Sequence, residues 1–323
     1  MGLPRRIRKA AVAVVTAVGL LAACQTATPA PFTPSPSRST ASPSPSPTPT
    51  PTPLDFTRPG LAEAWLKRLL ATVGSDLVVM AEVTTDSVTV TVLPEAGGKP
   101  VTWAYRDGQA QQVASDLEYV DQAVFNLDDF DLSDVGSLFR TAARISGSTA
   151  NQTLHIVDFS GGRVAMTVTT NPESRTVFFQ PDGIPLPELD YHTAAGVADG
   201  LSEVTRDRVT VQMLGVDSET GAWVDYAGLD DTTVRLQRTA KVPVTRISRD
   251  EVLSLPPFAV DLVDPAVIWQ VVSRIIRQAG LEPDTRWQVT VDDRGGTGVP
   301  RLYFTVGSTA VTTDLAGTEV ISS

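Results

Sequence analysis

The clearest pattern of apolar and polar residues in the chain is helical and lies near the C-terminal end. Between Pro265 and Ala279, apolar residues recur at intervals of three and four, as on one side of an α-helix. Asp264 before Pro265 is typical of a helix start, and Gly280 is typical of a helix end. We therefore predict an amphipathic helix over 265–279. Its apolar positions are Val267, Ile268, Val271, Val272, Ile275 and Ile276, and Gln270, Ser273, Arg274, Arg277 and Gln278 are expected to face away.

The same spacing recurs in the first half of the chain, between Asp131 and Gly147. Asp131 takes the place of the helix start there, and Gly147 takes the place of the helix end. A shorter helix is predicted earlier in each half. The apolar positions are Val135, Leu138, Phe139 and Ala142 in the longer helix, Leu61, Trp65, Leu69, Leu70 and Val73 in the first short helix, and Val197, Leu201 and Val204 in the second.

Between the helices, apolar and polar residues alternate, which is the pattern of a half-buried strand. Strands with one polar side are typical of antiparallel sheets, and short glycine-containing turns separate them. The alternating sets are Val88, Val90 and Val92, then Val209, Val211 and Met213, then Leu302, Phe304 and Val306, with a further strand over 287–291. The turns are expected at Gly97-Gly98, Gly161-Gly162, Asp182-Gly183 and Gly295-Gly296.

The two halves of the chain resemble one another. Leu54-Asp55-Phe56 recurs as Leu189-Asp190-Tyr191, and the segment 125–147 aligns without a gap to 258–280. Both matches have a spacing of 133 to 136 residues, which indicates an internal duplication. A period this long with two copies does not fit a solenoid.

These elements predict an α+β fold of two tandem repeats, residues 54–187 and 188–323. In each repeat we expect helices packed on one face of a curled antiparallel sheet, because one-sided helices and one-sided sheets bury their apolar surfaces against each other.

The N-terminal segment has the pattern of an export signal. Basic residues from Arg5 to Lys9 precede an apolar run that ends at Ala22 and Ala23, which is too short for a membrane-spanning helix. Residues 1–23 are therefore predicted to be a signal peptide. The junction Leu21-Ala22-Ala23-Cys24 resembles a bacterial lipobox, and Cys24 is the only cysteine. The resemblance implies cleavage before Cys24, lipidation of its sulfur and a stable anchor on the outer face of the cell membrane.

Residues 24–53 combine this cysteine with a stretch of Pro, Ser, Thr and Ala that lacks an apolar set to bury. Repeated Ser-Pro and Thr-Pro pairs favour polyproline II at about 3.1 Å per residue, so the segment would reach roughly 85 Å as a tether. A proline-rich recognition ligand is the alternative. The chain has few lysines among its 26 basic residues, which is typical of high-GC bacteria and supports an actinobacterial lipoprotein.

The C-terminal segment from Asp264 runs from a helix through strands at Trp287–Val291 and Arg301–Val306 to a last stretch, Val311–Val320. That last stretch contains an aspartate and a glycine turn at Asp314–Gly317. The order resembles a PepSY domain, and residues 131–184 resemble a decayed copy of it. The resemblance implies an extracytoplasmic module that inhibits or chaperones secreted peptidases, without catalysis.

Composition narrows the possible functions. The formal charge is −11, and removal of the four basic residues of the signal peptide would leave about −15. Such an acidic chain would repel nucleic acid, so nucleic acid is not an expected partner. One cysteine and two histidines also exclude a disulfide framework and a cysteine-built metal site.

The sequence contains no recognisable catalytic arrangement. A nucleophilic hydroxyl needs a base beside it, and the two histidines are poorly placed for that role. His155 alternates with Leu154 and Ile156 in a predicted strand, aligns with Gln288 and is expected to face solvent. His192 precedes a helix and is expected to cap it or to lie at the surface. We predict no catalytic residue, no cofactor and no enzymatic activity.

An acidic run, Asp128, Asp129, Asp131 and Asp134, is the one cluster that suggests a metal, because alternating carboxylates can bind calcium. Asp134 stands where a calcium loop requires glycine, and Arg140 stands where it requires glutamate. Acidic residues at the start of a helix explain the run better, and no metal site is predicted.

Six aromatic residues fall in predicted strands, and most are expected in the core. If several lie on an uncovered sheet face, they would form a binding surface. The residues are Trp103, Tyr105, Trp223, Tyr226, Trp287 and Tyr303, of which Trp103, Tyr105, Trp223 and Tyr226 are the candidate binding residues.

Taken together, these patterns predict a lipid-anchored extracytoplasmic protein that binds a protein or a hydrophobic ligand on its sheet face or in the cleft between repeats. Two alternatives remain at this point: a PepSY-like regulator of secreted peptidases, and a carrier of lipid or another hydrophobic ligand in an internal cavity.

Overall fold

The computed structural model describes residues 54–95, 98–106, 108–114 and 122–320. The signal peptide, Cys24 and the tether lie outside these residues, as does Gly97 of the predicted Gly97-Gly98 turn. The described chain is α+β, with four α-helices and two seven-stranded antiparallel sheets.

The first sheet is built from residues 78–179 and has the strand order β4-β3-β2-β1-β5-β6-β7. Every neighbouring pair is antiparallel, and the central contact joins β1 to β5. Its strands are β1 (Val78–Val83), β2 (Val88–Val92), β3 (Val101–Arg106), β4 (Gln109–Val113), β5 (Thr153–Asp158), β6 (Val164–Thr169) and β7 (Thr176–Phe179).

The second sheet repeats this topology, with the order β12-β11-β10-β9-β14-β15-β16, and β8 pairs with β13 in a separate two-stranded ladder. The strands are β8 (Thr210–Val211), β9 (Met213–Asp217), β10 (Gly221–Ala227), β11 (Thr233–Arg238), β12 (Thr245–Arg249), β13 (Phe258–Ala259), β14 (Trp287–Asp292), β15 (Arg301–Val306) and β16 (Thr309–Thr313).

The four predicted helices are all present. Asp264 caps the last helix through its side chain, which accepts a hydrogen bond from the Ala266 N–H at 2.8 Å, and Gly280 ends it with φ 64°. The helices are α1 (Leu61–Val73), α2 (Val135–Ser146), α3 (Ala194–Thr205) and α4 (Pro265–Ala279).

The predicted start of the second helix is wrong by three residues. Asp134, not Asp131, is the N-cap of α2, and its side chain accepts a hydrogen bond from the Ser137 N–H at 2.8 Å. Asp131 instead accepts from the Ser133 N–H at 2.9 Å within the preceding turn. A side-chain cap needs an N–H two or three residues ahead, and both aspartates meet that requirement locally.

The predicted strand through Val209, Val211 and Met213 is also interrupted. Val209 is 81% exposed, and the main sheet begins only at Met213. At Gln212 the backbone N–H bonds to the Asp225 carbonyl, while the side-chain amide donates to the carbonyls of Leu253 and Leu255. Alternation alone could not place this break, because the polar residue at the break fits the pattern of a continuous strand.

Two separate hydrophobic cores lie on either side of the junction at 187–188. One draws its buried residues from 56–179 and the other from 189–306. Buried side chains of α1 and α2 share the first core with alternate residues of the first sheet, and α3 and α4 do the same in the second. We call the side of each sheet that joins its core the core side, and the opposite side the outer side.

Several features recur at a fixed spacing in the two repeats. An isolated bridge joins Val78 to Phe125, and the β8–β13 ladder joins Val211 to Phe258. Each bridge is followed by a short 3-10 turn, Leu127–Asp129 or Val260–Leu262. The shared strand order and these matched turns fit the predicted duplication.

Candidate functional site

A cleft of about 340 Å³ lies where the two repeats meet. Strands β6 and β7 and the turn before β6 form one wall, the segment 186–187 lies between the repeats, and the end of α3 with residues 243–244 forms the other wall. Residues that line it include Phe159, Ala165, Phe178, Leu186, Glu203 and Val244.

The wall from the first repeat is aromatic. Phe178 alternates with Val177 and Phe179, which join the core, so its ring lies on the outer side of the sheet. Phe159 packs edge-on against Phe178, with ring centroids 4.9 Å apart. Phe159 is 40% exposed, whereas Phe178 is only 8% exposed. The two rings therefore present an apolar surface to the cleft.

The wall from the second repeat contains a buried ion pair. The Arg238 guanidinium is 0% exposed, and its Nε donates to Glu203 Oε2 at 2.7 Å. Its terminal nitrogens donate to the Val242 carbonyl at 2.9 Å, to the Pro187 carbonyl at 2.8 Å and to the Thr239 carbonyl. Arg238 thus ties α3 and the turn after β11 to the segment that links the repeats, and it holds the Glu203 carboxylate at the cleft.

Two further contacts join the repeats near the cleft. Ser160 Oγ accepts from the Arg246 N–H at 2.7 Å and donates to the Arg246 carbonyl at 3.1 Å, so one hydroxyl satisfies both groups on the edge strand β12. Arg163 lies 4.0 Å from Asp207, and both side chains are exposed enough to be screened by solvent.

The four candidate aromatic residues do not form one stripe. Trp103 and Tyr105 lie on the core side of the first sheet, where Tyr105 packs on Trp65 of α1 at 3.9 Å between centroids. Tyr226 lies on the core side of the second sheet. Trp223 alone lies on an outer side, because its neighbours Ala222 and Val224 are core residues.

Trp223 sits on the outer side of the second sheet between a glycine and an arginine. A Cβ atom at Gly215 would lie 2.5 Å from the indole, so glycine makes room for the ring on β9. Arg235 lies over the same ring at 4.0 Å from its centroid and donates two hydrogen bonds of 2.7 Å to the buried Asp225.

Tyr303, another aromatic residue of a predicted strand, also lies beside an arginine that binds a buried aspartate. Arg294 lies 3.6 Å from the Tyr303 ring centroid and donates to both oxygens of buried Asp292, at 2.8 and 2.7 Å. Trp287, by contrast, is fully enclosed in the second core.

The two histidines lie apart, one in the first sheet and one in the turn before α3. His155 lies on the outer side of the first sheet opposite Glu82, with 3.8 Å between Nδ1 and Oε2. In the second sheet, Gln288, with which His155 aligns in sequence, lies opposite Asp217. The His192 N–H bonds to Asp190 Oδ1 at 2.8 Å in the turn before α3.

Three aspartates of the acidic run are occupied by contacts within the protein. Asp128 pairs with Lys67 at 2.8 Å, and Asp131 and Asp134 accept backbone hydrogen bonds as described above. Within the described ranges, no group of three or more His, Cys, Asp or Glu side chains is placed to hold a metal ion.

Sequence reasoning missed the residues that shape the cleft. Arg238 continues the alternating series Val234 and Leu236, so it lies on the same side of the strand as these apolar residues. This position was a signal in the sequence that its charge is buried. Glu203 and Phe178 gave no comparable signal, because their partners are distant along the chain.

No family model matches the chain, and no curated protein matches it. The PepSY and lipobox resemblances therefore stay predictions. In the part of the chain that the structure describes, no helix is both long and apolar enough to cross a membrane.

Proposed function

We propose that this protein is a lipid-anchored extracytoplasmic binding protein without catalytic activity, and that its ligand site is the cleft between the repeats. The anchor is Cys24, as the lipobox resemblance implies. The ligand is a compact apolar molecule or an apolar side chain of a partner protein.

The observation that carries the proposal is the cleft itself, with paired aromatic rings on one wall and a fixed carboxylate on the other. Small-molecule sites prefer interfaces between domains and combine apolar lining with a few oriented polar groups. A volume of about 340 Å³ lies near the lower end of such sites. It suits a compact ligand better than a lipid with two acyl chains, which makes the carrier alternative less favourable.

The proposal includes an arrangement in which the helices cover the core side of each curled sheet and leave the outer side open. The shared cores support this, because helix and strand residues of each repeat fall in one cluster. Phe178 reaches the cleft because it lies on the outer side.

A substitution that fills the cleft tests the site. Ala165 lines the cleft from β6, so Ala165→Phe should place a ring in the ligand space. We expect the affinity for the uncharged fluorescent probe N-phenyl-1-naphthylamine to fall at least tenfold, since about 1.4 kcal/mol of lost contact has that effect.

The matched control is Ala310→Phe, the same change at an exposed strand position of the second repeat. It should leave the affinity of the probe unchanged. Equal affinity in both variants would show that the cleft is not the ligand site. If Ala165→Phe lowers the melting temperature sharply, Phe159→Ala provides the same comparison at a half-exposed residue.

A further inference from the structure

The end of the second repeat at which β9 and β11 begin presents four exposed apolar side chains. Ten large apolar residues of the described chain are exposed, and these four include the two most exposed of them. Single apolar residues scattered over a surface are ordinary, whereas a group of them at one place indicates a contact surface. We call this group the apolar end, and its residues are Val209, Leu229, Val252 and Leu262.

Hydrogen bonds hold the apolar end together, because the segment 250–260 runs across this end of the second sheet. The segment is fixed to β11 where the Thr233 hydroxyl donates to the Glu251 carbonyl at 2.7 Å. It is fixed to the residue before β8 where the Val260 N–H donates to the Val209 carbonyl at 3.0 Å. A surface held in this way loses little conformational entropy when a partner binds to it.

Leu229 stands at the tip of the hairpin between β10 and β11. The Thr232 N–H donates to the Leu229 carbonyl at 3.1 Å and closes the turn. The two residues between them, Asp230 and Asp231, have φ of 52° and 57°. Positive φ at both central positions is the geometry that Asn-Gly favours, so a pair of aspartates strains this turn. The chain keeps two carboxylates at the tip in spite of that strain, which points to a use for their charge.

Acidic residues surround the apolar end. The three segments that carry the apolar residues contain five acidic residues and one basic residue, Arg208. The segments are 208–211, 228–232 and 250–263. One of the acidic residues, Glu251, pairs with Arg249 at 3.1 Å. The other four are exposed and form no ion pair with a described residue, and they are Asp230, Asp231, Asp250 and Asp261. This end of the repeat therefore carries an excess of negative charge.

We propose that the apolar end docks a basic amphipathic segment of a partner protein, one that presents apolar side chains between lysines or arginines. The apolar side chains of the partner cover the apolar end, and its basic groups pair with the surrounding carboxylates. Charge decides between occupants. A second copy of this chain would bring two acidic surfaces together, and an anionic membrane would repel the same carboxylates. None of the four apolar residues lines the cleft, so this surface is separate from the proposed ligand site.

Fluorescence anisotropy with a labelled amphipathic helical peptide of leucine and lysine tests the proposal. The protein is the chain from Gln25 onward, which contains both cores and lacks the signal peptide and the lipid anchor. We expect the peptide to bind at low salt and to bind more weakly at high salt. A peptide with glutamate in place of lysine and a peptide with serine in place of leucine should each bind at least about tenfold more weakly.

Leu229→Ser tests the apolar part of the surface. We expect the lysine peptide to bind this variant at least about tenfold more weakly, because burial of a leucine side chain contributes that much to affinity. The melting temperature should not change, since Leu229 is 84% exposed. The matched control is Ile145→Ser, which removes an exposed apolar side chain of α2 in the first repeat and should keep the affinity of the parent chain.

Asp230→Asn with Asp231→Gly tests the acidic part, because it removes both carboxylates and supplies the sequence that this turn favours. Peptide binding should weaken about fivefold, the effect of two exposed ion pairs. The melting temperature should stay equal or rise. A purely structural role for the aspartates predicts the reverse, a lower melting temperature with unchanged affinity. The matched control is Glu282→Gln with Asp284→Asn, the same change in charge at exposed positions beyond the C-terminal end of α4, and it should keep the parent affinity.

Three results with the peptides would overturn the proposal: no binding of the lysine peptide, equal binding of the glutamate peptide, or equal loss in a variant and its control. Without peptide binding, a dimer in sedimentation that Leu229→Ser dissociates would assign the surface to a second copy. Binding to phosphatidylcholine vesicles that the same variant abolishes would assign it to lipid. Ala165→Phe, which fills the cleft, should leave the peptide affinity unchanged, so the cleft and the apolar end are tested independently.

Discussion

At the scale of single residues, burial changes the pKa of His155. His155 lies among threonines and other half-buried residues on the outer side of the first sheet, and burial lowers its pKa from the ordinary value of about 6.5. The nearby Glu82 carboxylate acts in the opposite direction but does not outweigh burial. The folded protein therefore favours the neutral imidazole.

The lowered pKa of His155 predicts that the protein loses stability as pH falls from 7.5 to 5.5. The unfolded chain binds the proton near pH 6.5 and the folded chain binds it only at lower pH, so this contribution is present above 6.5 and is lost below it. Urea melts at both pH values should show a smaller loss for His155→Gln than for the parent chain.

Glu82→Gln provides the opposite test, because removal of the carboxylate should lower the pKa of His155 further and steepen the loss. An unchanged pH dependence in both variants would contradict the assignment. A backbone hydrogen bond from Thr297 lowers the pKa of Asp293 below the ordinary value of about 3.9. Asp293 therefore does not titrate between pH 5.5 and 7.5 and does not affect this measurement.

At the scale of elements, the apolar stripe of α4 overrides the preference of its β-branched residues for strands. Its residues are rich in β-branched side chains, which favour strands, yet the helical spacing decides the structure because it places the buried residues on one side of the helix, where they join the second core. One polar residue departs from the expected outward direction: Arg274 donates to the Gly317 carbonyl at 3.0 Å and so contacts the turn after β16.

The buried stripe of α4 gives a stability prediction. Ile275 is buried in the second core, so Ile275→Ala should destabilise the protein by about 2 to 5 kcal/mol through lost burial and the remaining cavity. Gln278 is exposed on the same helix, and Gln278→Ala should change stability by about 0.5 kcal/mol or less. Equal urea midpoints would mean that the stripe is a docking surface and not part of the core.

At the scale of the whole molecule, Arg238 connects parts of the chain that are far apart in sequence. It joins β11 to α3 through Glu203 and to the link between repeats through the Pro187 carbonyl. The Tyr191 hydroxyl donates to the Arg238 carbonyl at 2.6 Å, which fixes the start of the second repeat to the same strand.

Arg238→Ala should therefore cost about 3 to 5 kcal/mol, because it leaves Glu203 and three carbonyl groups without their partner. Arg163→Ala, at the exposed contact with Asp207, should cost well under about 1 kcal/mol. Thermal unfolding of the two variants measures the difference. A small effect for Arg238→Ala would show that water replaces its hydrogen bonds and that the link is not fixed by this side chain.

The sequence alone predicted all four helices, several of the strands and the repeated order, because these depend on spacing within a few residues. The interval of four between Val267 and Val271 indicates a helix, and the interval of two between Val88 and Val90 indicates a strand. The caps at Asp264, Gly147 and Gly280 are local as well. The start of α2 was missed because two aspartates three residues apart can each act as a cap.

The tertiary structure decided which side of each strand faces a core and what lies between the repeats. In β3, Thr102 and Ala104 on the outer side are as buried as a core residue, so alternation could not tell that Trp103 and Tyr105 belong to the core side. The cleft depends on contacts such as Arg238 with Pro187, which lie 51 positions apart. A pattern of neighbours cannot specify such pairs, because they form only when the path of the whole chain brings the two strands and the link together.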